Sequence, residues 1–354
     1  MKIITIVGAR PQFIKAAAVS RAFAKYSDIQ ELIVHTGQHF DSNMSDIFFE
    51  EMEIPKPHYN LDVNGLGHGA MTGQMLEKIE KVLIDEKPDW VLVYGDTNST
   101  IAGALAAAKL HIKVAHVEAG LRSFNMKMPE EVNRILTDRI SNILFCPTES
   151  AITNLLNEGY ENLSNKLVKS GDVMQDAAIF YTKRRRKPEF DLPDKFVLAT
   201  IHRAENTDNL ERLQSIFRSF DKIGEKTKII LPLHPRTQKI IVKNNLQYNT
   251  DVIKIIEPVG YLEMVFLLQN CKLVMTDSGG LQKEAFFFHK PCITMRDETE
   301  WVELVDKGFN TIVGADYDKI VSAFENQNYN IDFSMNLYGG GKASEEIAEA
   351  LLSY

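Results

Sequence analysis

Residues 116–134 read HVEAGLRSFNMKMPEEVNR and set Glu118, Arg122, Lys127, Glu130, Glu131 and Arg134 in one loop and one helix start, directly after the apolar run KVAHV. Connectors at strand ends favour Ser, Asn and Gly over carboxylates, so this stretch asks for a chemical explanation. Pro129 fits a first helical turn, which brings Glu130 and Glu131 to the positive end of that helix. For Glu130 a dipole partner is explanation enough. Glu131 differs, because Asp96 and Glu118 close neighbouring strands and make a trio of acids with it. Crowded acids raise one another's pKa, as a proton-transfer site requires.

Other strand ends carry ionisable groups too. GARPQFIK follows KIITIV with Arg10 and Lys15, and IHRAEN follows KFVLAT with His202, Arg203 and Glu205. HPRTQ brings His234 and Arg236, and RDETEW brings Arg296 and Glu300. Each turn alone is an ordinary cap or loop. Together they describe a ligand cleft. TDSGGLQKEA is the clearest binding element. Ser278 is a good N-cap, and Gly279 and Gly280 let a ligand approach the backbone. The helix that starts there offers free N–H groups to a diphosphate, and Glu284 is placed to accept ribose hydroxyls.

The elements that must hold these residues alternate along the whole chain. Nearly continuous apolar runs (KIITIVG, ELIVHT, WVLVYG, KVAHV, ILFCP and KLVKSG, then KFVLATIH, KIILPLH, VIKII, KLVMT, PCITM and FNTIVG) are separated by amphipathic stretches. Continuous rather than alternating apolar character predicts parallel strands covered on both faces. The expectation is α/β: two Rossmann-like doubly wound domains facing across a cleft. The first covers 1–170 with 340–354, the second 171–339, and a C-terminal helix after NLYGGGK returns to the first. The acids belong to the first domain and the nucleotide seat to the second.

Composition narrows the function. With 354 residues, 44% of them hydrophobic and 25% charged, this is a globular chain too long for one comfortable core. A net charge of −8 argues against nucleic acid, and KRRRK at 183–187 reads as a solvated helix end. Cys146, Cys271 and Cys292 are scattered, which suits reduced thiols in a cytoplasmic protein. The first apolar run is too short for a signal peptide, and no stretch is long enough to span a membrane.

Several familiar motifs are missing. No G-x-G-x-x-G follows a strand, and there is no P-loop or G-x-S-x-G elbow. Tyr338 and Lys342 straddle three glycines, which disfavours a nicotinamide-dependent epimerase. His35 and His39 in HTGQH have a zinc-like spacing but no evident third ligand. Neither a cofactor nor a metal is expected.

Taken in order, GARPQFIK, TGQH, GDTNST, HVEAGLRS, PEEVNR, HRAEN, HP, TDSGGLQKEA, RDETEW and YGGGKAS resemble the non-hydrolysing UDP-N-acetylglucosamine 2-epimerases, a family with a glycosyltransferase-B-like fold. The resemblance implies that UDP is eliminated to leave a bound 2-acetamidoglucal, then added back after C2 is reprotonated on the opposite face. It implies conversion of UDP-GlcNAc to UDP-ManNAc for cell-surface polysaccharide synthesis, by a homodimer. Asp96, Glu118 and Glu131 would be acid/base carboxylates, and His202 a catalytic histidine near the diphosphate. Arg10, Lys15, Arg122, Arg134, His234, Ser278, Gly279, Gly280, Glu284 and Arg296 would bind the UDP-sugar.

The loop RSFNMKMPEE departs from the usual family pattern. With TEWVEL it resembles a branch acting on UDP-2,3-diacetamido-2,3-dideoxy-glucuronate. Phe40 and Asp41 depart from it after TGQH, where some members bind a second, activating substrate molecule. A UDP-sugar glycosyltransferase and a non-enzymatic nucleotide-sugar sensor are the readings from other classes.

Overall fold

A computed structural model of the protein describes residues 1–38, 49 and 53–354. Of the residues singled out above, His39, Phe40 and Asp41 lie outside that description. The chain divides into two compact units, Met1–Ala177 with Asn336–Tyr354 and Ala178–Met335. The first division falls inside the helix Val173–Thr182, not ahead of it, and the second comes just before the glycines.

In the first unit the strands are β1 (Lys2–Val7), β2 (Gln30–His35), β3 (Tyr59–Asn60), β4 (Trp90–Tyr94), β5 (Lys113–Val117), β6 (Ile143–Cys146) and β7 (Lys166–Lys169). They form one parallel sheet in the order β3-β2-β1-β4-β5-β6-β7. The two-residue β3 at the edge is the one strand the apolar runs do not announce, being too short to carry a pattern. The strand order reverses between β1 and β4, where α/β sheets bind ligands at their carboxyl edge. Gly103, in the helix Asn98–Lys109, sits so close to β1 that a Cβ there would lie 3.0 Å from Ile6. That close approach seats the helix directly behind the reversal.

The second unit repeats the plan with β8 (Phe196–Thr200), β9 (Lys228–Pro232), β10 (Ile253–Ile256), β11 (Leu273–Thr276), β12 (Cys292–Thr294) and β13 (Asn310–Ile312). Their order is β10-β9-β8-β11-β12-β13, again parallel, and the reversal lies between β8 and β11. Val197, Leu231 and Met275 point into one core, while Phe196, Leu198, Ile230 and Val274 point into another on the opposite face. Two-sided burial is the physical reason these strands read as unbroken apolar runs.

The C-terminal helix Ala343–Leu352 packs on the helix Arg10–Phe23 of the first unit. Asp176 accepts the N–H groups of Ala343 and Ser344 at 3.2 and 2.7 Å, satisfying that helix's first turn. No helix among the described residues is long and apolar enough to cross a membrane.

Candidate active site

The carboxyl ends of β1, β4 and β5 bring together the acids that the sequence singled out. Lys15, on the helix after β1, is ion-paired with Glu118 just past β5, and both side chains are almost fully buried. Arg134 reaches Asp96, two residues past β4, at 2.5 Å and Glu131 at 3.1 Å. Glu118 itself adopts a left-handed backbone, φ 70°. A glutamate gains nothing locally from that conformation, so the surrounding structure imposes it, as is common at functional sites. The N–H groups of Glu118 and Ala119 both donate to the Phe145 carbonyl, which supplies part of that constraint. Burial pushes the Asp96 carboxyl above the ordinary range, with Glu118 adding to it and Arg134 and Lys15 opposing it.

Glu131 is held within its own loop. Its Oε2 accepts from the Ser123 N–H at 2.9 Å and Ser123 Oγ at 3.0 Å, and its Oε1 from the Phe124 N–H at 2.9 Å. With Arg134 alongside and 1% exposure, this carboxylate is committed to fixing the 123–124 turn. Arg122, expected to meet substrate, is likewise turned inward. It makes a two-pronged pair with Glu158 at 2.7 and 2.9 Å and donates to Asp138 at 2.7 Å. Arg134 braces the acids rather than lying open to an anion.

Beneath these groups lies a buried chain that the sequence does not announce. His116 on β5 is fully buried, its Nδ1 2.7 Å from Asp138 Oδ1 and its Nε2 2.7 Å from the Gly95 carbonyl. Asp138 also accepts the Gly120 N–H at 3.1 Å. Burial alone would push its carboxyl up, but His116 and Arg122 outweigh that and hold it below the usual range. A lone histidine inside an apolar strand was the available signal. Its partner Asp138, 22 residues further on, could not be paired with it from spacing.

Opposite β5, the turn after β1 is closed differently. Gln12 accepts the Gly8 and Ala9 N–H groups at 2.8 and 3.0 Å and donates to the Tyr94 carbonyl at 2.7 Å. A side chain thus takes the amides that a glycine-rich phosphate loop would leave open, consistent with the missing dinucleotide fingerprint. Arg10 begins the following helix and is exposed.

The second unit gathers its residues at the ends of β8 and β11. Asp277 is fully buried and accepts the N–H groups of His202 and Arg203 at 3.1 and 3.0 Å, with Asn206 Nδ2 at 3.2 Å. His202 Nδ1 stands 3.4 Å from Asp277, with the ring about half exposed at 45%. Desolvation lowers the His202 pKa, helped by Arg203, His234 and Arg296 and opposed by Asp277. The helix Gly279–Phe287 starts at Ser278, whose Oγ accepts from the Leu281 N–H. Gly280 is exposed, with no neighbour that a Cβ would meet. Gly279 lies against Glu300, the partner of Arg296 at 2.9 Å, so Arg296 is already engaged within its own turn. Glu284 is nearly buried one turn along that helix. His234 caps the helix Pro235–Lys243 through Nδ1, 3.2 Å from the Arg236 N–H, and stays exposed.

Each unit thus ends in a polar constellation at its strand reversal: carboxylates paired with cations in the first, a glycine-opened helix start with His202 and Arg296 in the second. Comparison with known proteins gives this arrangement its context. A curated relative from Pseudomonas aeruginosa, a UDP-2,3-diacetamido-2,3-dideoxy-D-glucuronate 2-epimerase, is 59% identical over 99% of both chains. The UDP-N-acetylglucosamine 2-epimerase of Methanocaldococcus jannaschii is 47% identical over 99% of both. Its crystal structure in complex with UDP-GlcNAc and UDP matches all of both chains with a TM-score of 0.90. The Neisseria meningitidis enzyme bound to UDP-GlcNAc, 34% identical, also matches throughout at 0.90. Residues 21–352 match the model of UDP-N-acetylglucosamine 2-epimerase, and the chain, an isomerase with two parallel-sheet α/β domains of the glycosyltransferase-B-like kind, belongs to that family.

Proposed function

We propose that the protein inverts C2 of a UDP-2-acetamido sugar, and that its substrate is UDP-2,3-diacetamido-2,3-dideoxy-D-glucuronate. The sequence pattern alone puts UDP-GlcNAc first. The single observation that reverses the order is the 59% identity, over 99% of both chains, to the Pseudomonas aeruginosa enzyme named for the diacetamido uronate. UDP-GlcNAc remains the second reading, favoured by the Methanocaldococcus jannaschii structure with that sugar.

In this reading Asp96 and Glu118, on the adjacent strand ends of β4 and β5 and each held by a cation, work on the sugar. One takes the C2 proton while the C1–O bond breaks. The C–H electron pair becomes the C1=C2 double bond, and UDP leaves with the bonding pair on its diphosphate. UDP oxygen then re-adds at C1 as the other group protonates C2 from the opposite face. The raised pKa of Asp96 suits a group that must hold a proton between the two steps. Lys15, paired with Glu118, steadies that carboxylate.

The nucleotide falls to the second unit. The Ser278–Gly280 helix start and Arg296 answer the diphosphate charge, Glu284 the ribose, and His202 and His234 flank the leaving oxygen. His202, with its pKa lowered, is neutral at pH 7 and able to donate one hydrogen bond without adding charge. Glu131, Arg122 and Arg134 hold the acid-bearing loop. A cytoplasmic homodimer serving polysaccharide synthesis, and UDP-ManNAc as product in the second reading, rest on the family pattern.

Proton NMR of the purified protein with each UDP-sugar, offered separately, tests the proposal. A new anomeric signal of the epimer, faster with the diacetamido uronate, is expected. Sugar transfer only after an acceptor is added would make it a glycosyltransferase. UDP binding without any turnover would make it a sensor.

A further inference from the structure

We propose that His116 is a positioning residue that locks the two acid-bearing turns in register through the Gly95 carbonyl. The inference rests on the epimerase reading and adds a residue that binds neither sugar nor nucleotide. Gly95 lies between β4 and Asp96 at φ 62°, and a Cβ on it would stand 3.4 Å from Glu118 Oε2 and 3.6 Å from Lys15 Nζ. It is therefore the floor under the Lys15–Glu118 pair and the backbone that launches Asp96. His116 Nε2 meets the carbonyl of that same residue at 2.7 Å. A carbonyl only accepts, so Nε2 carries a hydrogen, and Nδ1 stands 2.7 Å from Asp138 Oδ1.

The far side of Asp138 reaches the second turn. Its Oδ2 takes the Gly120 N–H at 3.1 Å and Arg122 Nη1 at 2.7 Å, and Arg122 runs on to Glu158. One unbroken line, Gly95 to His116 to Asp138 to Gly120, thus ties the turn carrying Asp96 to the turn carrying Glu118. All of its side chains are fully buried, so water cannot replace a lost bond. Displacements near 1 Å at a reacting centre cost on the order of 10²-fold in rate.

The test compares His116→Gln, whose amide still donates to Gly95, with His116→Phe, which fills the space and donates nothing. The inference expects kcat to fall about 100-fold in the phenylalanine variant. KM and UDP affinity should stay within about threefold, and the glutamine variant should recover at least a tenth of the lost rate. Equal losses in the two variants, or kcat, KM and UDP affinity falling together, would overturn it. Should neither variant fold, nitrogen-15 histidine spectra of the wild-type protein decide: a protonated, slowly exchanging Nε2 supports the clamp and an unprotonated Nε2 refutes it. Failure of the epimerase reading shows separately, as a wild-type enzyme that turns over neither sugar.

Discussion

The two units solve the same topological problem with opposite materials. Each sets a fully buried aspartate beneath its polar strand ends: Asp138 in the first, held by His116, Arg122 and the Gly120 N–H, and Asp277 in the second, which gathers the His202 and Arg203 N–H groups. In the first unit that aspartate underlies a layer of charged side chains in which Asp96, Glu118 and Glu131 face Lys15 and Arg134. In the second it shapes a turn next to Gly279 and Gly280, where the helix start itself is the binding surface. Carboxylates can move protons but repel a diphosphate. Amides and glycines bind a diphosphate but move no proton. The sequence of this chain keeps the two kinds of group on separate sheets.

If that division of labour holds, damage to each unit has a different signature. The largest effect is expected from Glu118→Gln and Asp96→Asn, each lowering kcat by about 10³-fold or more while UDP affinity by calorimetry stays within threefold. Comparable loss of UDP binding would break the comparison. Asp96→Asn should also be no less stable than the wild type, because the fold disfavours the ionised carboxyl that the substitution removes. Next comes Arg122→Ala, which takes the arginine from buried Asp138, still held by His116 and Gly120, and from the part-exposed Glu158. Chemical denaturation should show a loss of about 3 kcal/mol, the low end for breaking a buried ion pair. A loss under 1 kcal/mol would mean the loop after β5 is not anchored as described.

Gly280→Ala sharpens the second half of the contrast. No atom lies within 4 Å of the added Cβ, so the melting temperature should not fall, while KM for the UDP-sugar should rise about tenfold through crowding at the helix start. An unchanged KM would remove Gly280 from the nucleotide seat. The smallest effect concerns pH. The folded His202 takes its proton below the unfolded value of 6.5, so the unfolded chain binds more protons and stability drops as pH falls from about 6.5 towards the folded pKa. The full contribution is present above that window. Urea midpoints between pH 5 and 7.5 should slope less in His202→Asn, and identical slopes would contradict the assigned shift.

Much of this architecture was legible in the chain. Unbroken apolar runs such as WVLVY and FVLAT announce two-sided burial, and every strand longer than two residues falls on a run of that kind. The trio of acids was legible because carboxylates at strand ends are chemically unusual. What the pattern could not tell is which oxygen is spoken for. Glu131 and Glu118 look alike in sequence, yet one is consumed by the N–H groups of Ser123 and Phe124 and the other faces a lysine. Arg122 misleads for the same reason: its partner Glu158 is 36 residues away, and only tertiary packing brings it close. His116 is not legible in this way, because one histidine in an apolar strand is ordinarily a satisfied core residue.

The most direct measurement is to run the wild-type enzyme in deuterium oxide with the diacetamido uronate and with UDP-GlcNAc, following C2 by NMR and mass. Carboxylates that lift and return the C2 hydrogen predict one deuteron at C2 of every epimer molecule formed. Epimer that appears with C2 still carrying its original hydrogen would contradict the account.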